Sequence, residues 1–109
     1  MAYDTRLAQQ VQAQFNTLHP YVAKKMFGGM IIMINGHMCV GVVKDNLVVR
    51  VGKERYQQAL DNLGVSEFDF TGKPLTGWVY VDGELVAEEE SLIYWLNQGL
   101  DFVLELPAK

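Results

Sequence analysis

Met30-Ile31-Ile32-Met33-Ile34, then Asn35-Gly36, then His37-Met38-Cys39-Val40-Gly41-Val42-Val43 is two apolar runs hinged on one dipeptide. Asn-Gly between apolar runs is a strong short-range hairpin signal, because a type I′ turn needs positive φ at both central positions. A second turn at Asp45-Asn46 leads to a third run, Leu47 to Val51, which Gly52 ends.

Two-residue loops at both turns give a register. Ile34 faces His37, Met33 faces Met38, Ile32 faces Cys39 and Ile31 faces Val40. Across the second turn Val43 faces Val48, Val42 faces Val49, Gly41 faces Arg50 and Val40 faces Val51. Side chains alternate between faces with period two. One face then carries Ile31, Met33, Met38, Val40, Val42, Leu47, Val49 and Val51, all apolar, and is expected to meet the helices. The other carries Met30, Ile32, Ile34, His37, Cys39, Gly41, Val43, Val48 and Arg50. It is more apolar than a solvated face of an antiparallel sheet should be. Exposed apolar patches mark interaction sites, so Ile32, His37, Cys39, Val43, Val48 and Arg50 are the candidate interaction residues; the alternative is that the C-terminal helix or sheet curvature covers this face as well.

Upstream, Tyr21 to Phe27 reads as a short strand entering a turn at Gly28-Gly29. Before it, Leu7, Val11, Phe15 and Leu18 form one apolar stripe on a helix from about Thr5 to Leu18. Asp4 is its N-cap and His19-Pro20 its stop. Downstream, a helix runs from about Lys53 to Asn62 with Tyr56, Ala59, Leu60 and Leu63 on its buried side, and Gly64 follows as C′ residue. A strand near Glu67 to Phe70, a turn at Thr71-Gly72-Lys73-Pro74 and a strand from Trp78 to Val81 come next. The last helix runs from about Glu88 to Leu104, its first turn rich in glutamate, which the helix dipole favours. Gly99 inside it marks a close approach to a neighbour. The expected fold is a single α+β domain over residues 1–109, two-layered, with the order α-β(3)-α-β(2)-α and a five-stranded antiparallel sheet.

Composition narrows the function classes. Half of the 109 residues are apolar and a fifth charged, ordinary for a globular domain able to bury its own core. One cysteine cannot make an internal disulfide. The N-terminus lacks a signal-peptide pattern, and the longest apolar stretch falls far short of the ~20 residues that span a bilayer. A cytoplasmic protein that neither crosses nor binds a membrane is expected. Net charge is −4 and the pI about 5.0, which disfavours direct nucleic-acid binding. A small basic patch from Lys24, Lys25 and Lys73, joined by Arg50, is the residual route to it.

Motifs for chemistry are sparse. Cys39 is the one possible thiol nucleophile, and the register places Arg50 and His37 near it, as a small thiol enzyme or redox sensor would require. An inert buried cysteine is the plainer reading. Two histidines and one cysteine without Cys-x-x-Cys or His-Glu-x-x-His spacing give no metal site. Phe27-Gly28-Gly29 and Thr71-Gly72-Lys73 lack the Walker spacing of a phosphate loop and read as turns. Glu67 and Asp69 read as surface charge, and Trp78 and Trp95 as core or interface anchors. No catalytic residue, cofactor or metal is assigned, and a small-molecule ligand is left open.

Several runs together carry a family resemblance: Lys25-Met26-Phe27-Gly28-Gly29, Asn35-Gly36-His37-Met38-Cys39-Val40-Gly41-Val42, Val49-Arg50-Val51-Gly52, Asp69-Phe70-Thr71-Gly72-Lys73-Pro74-Leu75 and Gly77-Trp78-Val79. In this order, over essentially the whole chain, they resemble the TfoX N-terminal domain family. The resemblance implies an α-β(3)-α-β(2)-α fold with an antiparallel sheet, similar to secretion-chaperone-like and YgaC-like domains. It also implies a loose association with regulation. The competence regulators that name the family carry a C-terminal domain this sequence is expected to lack. The function expected is therefore a non-enzymatic regulatory or protein-interaction module, partnered by a protein or by itself as a homodimer. The alternatives are the Cys39 thiol enzyme or redox sensor and a weakly nucleic-acid-associated transcription regulator.

Overall fold

A computed structural model describes residues 3–26, 28–69, 72 and 75–107. Its elements are α1 (Thr5–Leu18), β1 (Val22–Met26), β2 (Gly29–Ile34), β3 (His37–Val43), β4 (Asn46–Arg50), α2 (Lys53–Leu60), β5 (Val65–Glu67), β6 (Trp78–Val81), a 3₁₀ turn (Leu85–Ala87) and α3 (Glu89–Leu104). The α+β class and the antiparallel sheet are as expected. The sheet has six strands in the order β1-β2-β3-β4-β6-β5. The order α-β(3)-α-β(2)-α counts five, but the strand read after Pro20 pairs along β2 as an edge strand and makes the sixth.

Local signals explain the elements. Asp4 caps α1 by accepting from the Arg6 and Leu7 N–H groups at 2.9 and 3.1 Å. Asn35 and Gly36 take φ of 54° and 85°, as the type I′ hairpin requires. The second turn falls one residue earlier than expected, at Lys44-Asp45, with Val43 facing Asn46 and Val42 facing Leu47. Lys44 takes φ 54°, and its carbonyl accepts from the Asp4 N–H at 2.7 Å. Each β3 residue therefore meets a β4 residue two positions earlier than expected. A shift of two leaves the faces unchanged.

The first hairpin differs in a way that does change faces. Ile34 pairs with His37 and Met33 with Met38, as expected, but then Ile32 pairs with Val40, Ile31 with Gly41 and Met30 with Val42. Cys39 is the extra residue of a β-bulge. With regular pairing, Ile32 and Val40 would lie on opposite faces. The bulge puts Met30, Ile32 and Ile34 on the same side as Val40, Val42, Leu47 and Val49, and all seven belong to one buried cluster.

That cluster is the main core. It joins Leu7, Val11 and Phe15 of α1, Ala59 of α2, Val86, and Leu92, Trp95, Leu96, Leu100 and Val103 of α3 to one face of the sheet. The three helices thus bury their apolar sides on the same face. α2 ends at Leu60, shorter than expected, and Leu63 stands 93% exposed in the turn after it. Asp61 is the C-cap, so the chain has left the helix before Leu63, and Gly64 takes φ 82° in the turn.

Candidate functional site

The second face of the sheet carries no helix. Cross-strand partners share a face, so Met33 and Val22 lie there together, as do Ile31 and Lys24, Gly41 and Val48, Tyr80 and Val48, and Trp78 and Arg50. The face has its own small buried cluster of Val43, Val48 and Phe68, with Met38, Trp78 and Tyr80 packed against it. Phe68 follows β5, its N–H donating to the Trp78 carbonyl at 3.4 Å, and its side chain packs against Val43 and Val48. Its ring meets Tyr80 edge-on at 5.0 Å and Trp78 at 6.3 Å. The Leu75 N–H donates to the Phe68 carbonyl (3.0 Å) and the Trp78 N–H to the Leu75 carbonyl (3.1 Å).

Between that segment and the first hairpin lies a cavity of about 300 Å³ lined by Met26, Met33, Gly36, Met38, Arg50, Phe68, Leu75 and Trp78. Its walls are three methionines, two aromatics and a leucine, with one charged group. A neighbouring cavity of about 320 Å³ shares Met33 and Gly36 with it and carries Lys24. Arg50 stands at the end of β4, its guanidinium carbon 5.0 Å from the Trp78 ring centre and 5.3 Å from that of Phe102. Cation–π contacts of this kind hold a guanidinium in place. Among the described residues no carboxylate pairs with it. Burial lowers its pKa from the ordinary value, and the nearby Cys39 acts in the opposite sense.

The candidate interaction residues do not form one surface. Val43, Val48 and Arg50 lie on the helix-free face. Ile32 and Cys39 are fully buried in the main core. His37, 8% exposed, lies on that side too, and its Nε2 bonds the Pro107 carbonyl beyond α3 at 2.6 Å. The bulge is the reason, since it turned β2 and the start of β3 over relative to regular pairing. By the same inversion, Ile31, Met33 and Met38, expected against the helices, belong to the opposite face. The alternation argument found the existence of a half-apolar second face and missed the methionines that line it. Their signal was a mismatch of phase: Ile32 and Ile34 alternate in step with each other, but out of step with Val40 and Val42 across a regular hairpin.

The thiol constellation is also rearranged. Cys39 lies beneath α3, where a Cβ on Gly99 would sit 3.0 Å from its carbonyl oxygen and 3.2 Å from its sulfur. Burial pushes its pKa up to about 12, against a weaker opposing pull from Arg50. His37 is engaged with Pro107 instead of the thiol. A nucleophilic cysteine needs a lowered pKa and an open approach, and this geometry supplies neither. The basic patch does not assemble among the described residues: Lys24 pairs with Ile31 and Lys25 with Met30, so they project from opposite faces of an edge strand. Lys73 lies outside the described residues, as do Phe27, Phe70, Thr71 and Pro74 of the turns and strand ends read above. Of the acidic pair, Glu67 accepts from the Tyr56 hydroxyl at 3.3 Å. Among the described residues no group of three metal-ligating side chains converges, and no helix is long and apolar enough to cross a membrane.

A family model, the TfoX N-terminal domain, matches residues 13–103. The chain belongs to the TfoX N-terminal domain family. The match runs from the middle of α1 to the last turn of α3 and so contains the entire sheet and the cavity on its helix-free face. No curated protein matches the sequence. Within this TfoX N-terminal domain, the helix-free face combines an apolar cavity with a cation that no carboxylate pairs among the described residues.

Proposed function

We propose that this TfoX N-terminal domain is a non-enzymatic regulatory module that acts by binding, and that its working surface is the helix-free face of the sheet. The observation that carries the reading is the apolar cavity around Met33, Met38 and Trp78, with Arg50 beside it and no carboxylate pairing it among the described residues. An antiparallel sheet can leave one side to water, but its outward residues are then polar. Here Met33, Met38, Trp78 and Tyr80 stand among them, and methionine and aromatic residues are enriched at the centres of protein interfaces. Methionine adapts to varied partners because its chain is unbranched and its sulfur polarisable. The buried thiol supports a binding role over covalent chemistry, and an acidic net charge supports a protein partner over nucleic acid. A cytoplasmic location accompanies the reading, supported by a cysteine with no second cysteine to oxidise against.

The partner proposed first is a second copy of the chain, forming a homodimer face to face. Sedimentation equilibrium at high micromolar concentration tests it. A dimer that Met33→Asp weakens at least tenfold is the expected result, since a buried unpaired carboxylate at the centre of such a contact is costly. A protein that stays monomeric at that concentration overturns the homodimer.

A further inference from the structure

We propose that the cavity on the helix-free face is a binding site for a small apolar carboxylate, with Arg50 receiving the carboxylate and Met26, Met33, Met38 and Trp78 enclosing the apolar body. The proposal rests on the reading of that face as the working surface, and it names a ligand for it.

Size comes first. About 300 Å³ lies at the low end of small-molecule sites. It suits one ring or a short hydrocarbon chain, not a nucleotide or a long-chain lipid. Lining comes second. Among the described residues, thioether, aromatic and aliphatic groups make up the walls, with a single charged side chain among them. Ligand sites are built in this way, a mostly apolar surface with few polar groups that fix orientation. Charge comes third. Among the described lining residues the one ionised group is a guanidinium, which recognises carboxylates through two parallel N–H donors. It is already positioned by the Trp78 and Phe102 rings, so little side-chain freedom remains to be lost on binding. A doubly charged phosphate would leave charge uncompensated by one arginine in an apolar surround. A monocarboxylate is matched.

Methionine-methyl NMR of the full chain reads the site directly. Met26, Met33 and Met38 line the cavity, whereas Met30 lies in the main core on the other side of the sheet. Phenylacetate and octanoate are titrated as probes, with phenylacetamide as the neutral counterpart. The expected result is saturable shifts at Met26, Met33 and Met38 with Met30 unmoved, and binding of the amide at least tenfold weaker than of the acid. Preference between the two acids distinguishes an aromatic from a straight-chain ligand, and either supports the proposal. Arg50→Gln should weaken the acids tenfold to a hundredfold, the range of a charged hydrogen bond, and leave the amide unchanged. An unmoved Met30 methyl in that variant shows that it is folded. Equal binding of acid and amide, or no saturable shift from either acid at millimolar concentration, overturns the proposal. If that failure accompanies a dimer sensitive to Met33→Asp, the ligand is wrong and the working surface stands. A monomer with the expected methyl shifts overturns the dimer alone.

Discussion

Cys39 and Gly99 share one contact, and each constrains the other. The Cys39 thiol ionises near the ordinary 9.0 when the chain is unfolded and near 12 when folded, because burial penalises the thiolate. Between those values the unfolded chain has released a proton that the folded chain retains. This contribution to stability is whole below about pH 9 and is lost as pH rises toward 12. Thermal melts from pH 8 to 11 should show a steeper alkaline decline for the wild type than for Cys39→Ala. Tyr56 and Tyr80, also raised mainly by burial, add the same slope to both proteins, so the difference isolates the thiol. Native protein should react with a thiol reagent near pH 8 only as fast as it opens. Gly99 is the opposite case, a residue whose missing side chain is used. Alanine there would gain about 1 kcal/mol of helix propensity. Its Cβ, however, would meet the Cys39 carbonyl and the Val40 methyl at 3.0 Å each, and strand backbone gives little. Gly99→Ala should be net destabilising by about 1–2 kcal/mol in urea titration.

Strands keep their faces through registers, and the two hairpins show how differently a slip can act. At the Lys44-Asp45 turn the pairing moved by two residues and every side chain kept its side. At Cys39 it moved by one, and β2 turned over relative to the later strands. The bulge resolves a conflict already present in the residues. Ile32 and Ile34 must lie in the core with Val40 and Val42, and a regular two-residue hairpin cannot place them so. Deleting Cys39 removes the extra residue and leaves the pairs on both sides where they are. That variant should still unfold cooperatively, at a cost of about 1–3 kcal/mol. Deleting Val48 from β4, which has no bulge, turns either Leu47 or Val49 away from the core and should abolish cooperative unfolding. Circular dichroism melts of the two deletions separate these outcomes. Helix α2 makes a related point: Leu63 fits the apolar stripe, yet α2 ends at Leu60 with Asp61 as its C-cap, and Leu63 falls in the turn that follows.

On the proposed reading, the molecule as a whole divides stability and binding between its two faces. Helices, 3₁₀ turn and sheet share one dense core, whereas the other face holds a few buried residues beside open cavities. Leu96→Ala, fully buried under α3, should cost about 2–5 kcal/mol of unfolding free energy. Met33→Ala on the other face should cost under about 1 kcal/mol and alter association and ligand binding instead. Denaturant melts paired with sedimentation test that separation.

Much of this architecture is legible before any coordinates. Asp4, the stripe from Leu7 to Leu18, Asn35-Gly36, the run Trp78–Val81 and the stripe from Leu92 to Val103 mark elements through short-range rules of capping, periodicity and turn geometry, and the runs from Lys25 to Val79 name the family. These signals are local, so the chain carries them in order along itself. Which side of β2 meets the helices was not local: it depended on how Ile32 and Ile34 could share a core with Val40, Val42 and α3, and one inserted residue settled it. The cavity depends on the same choice, because Met33, Met38, Arg50 and Trp78 come from four different strands and meet only after those strands have agreed on a register.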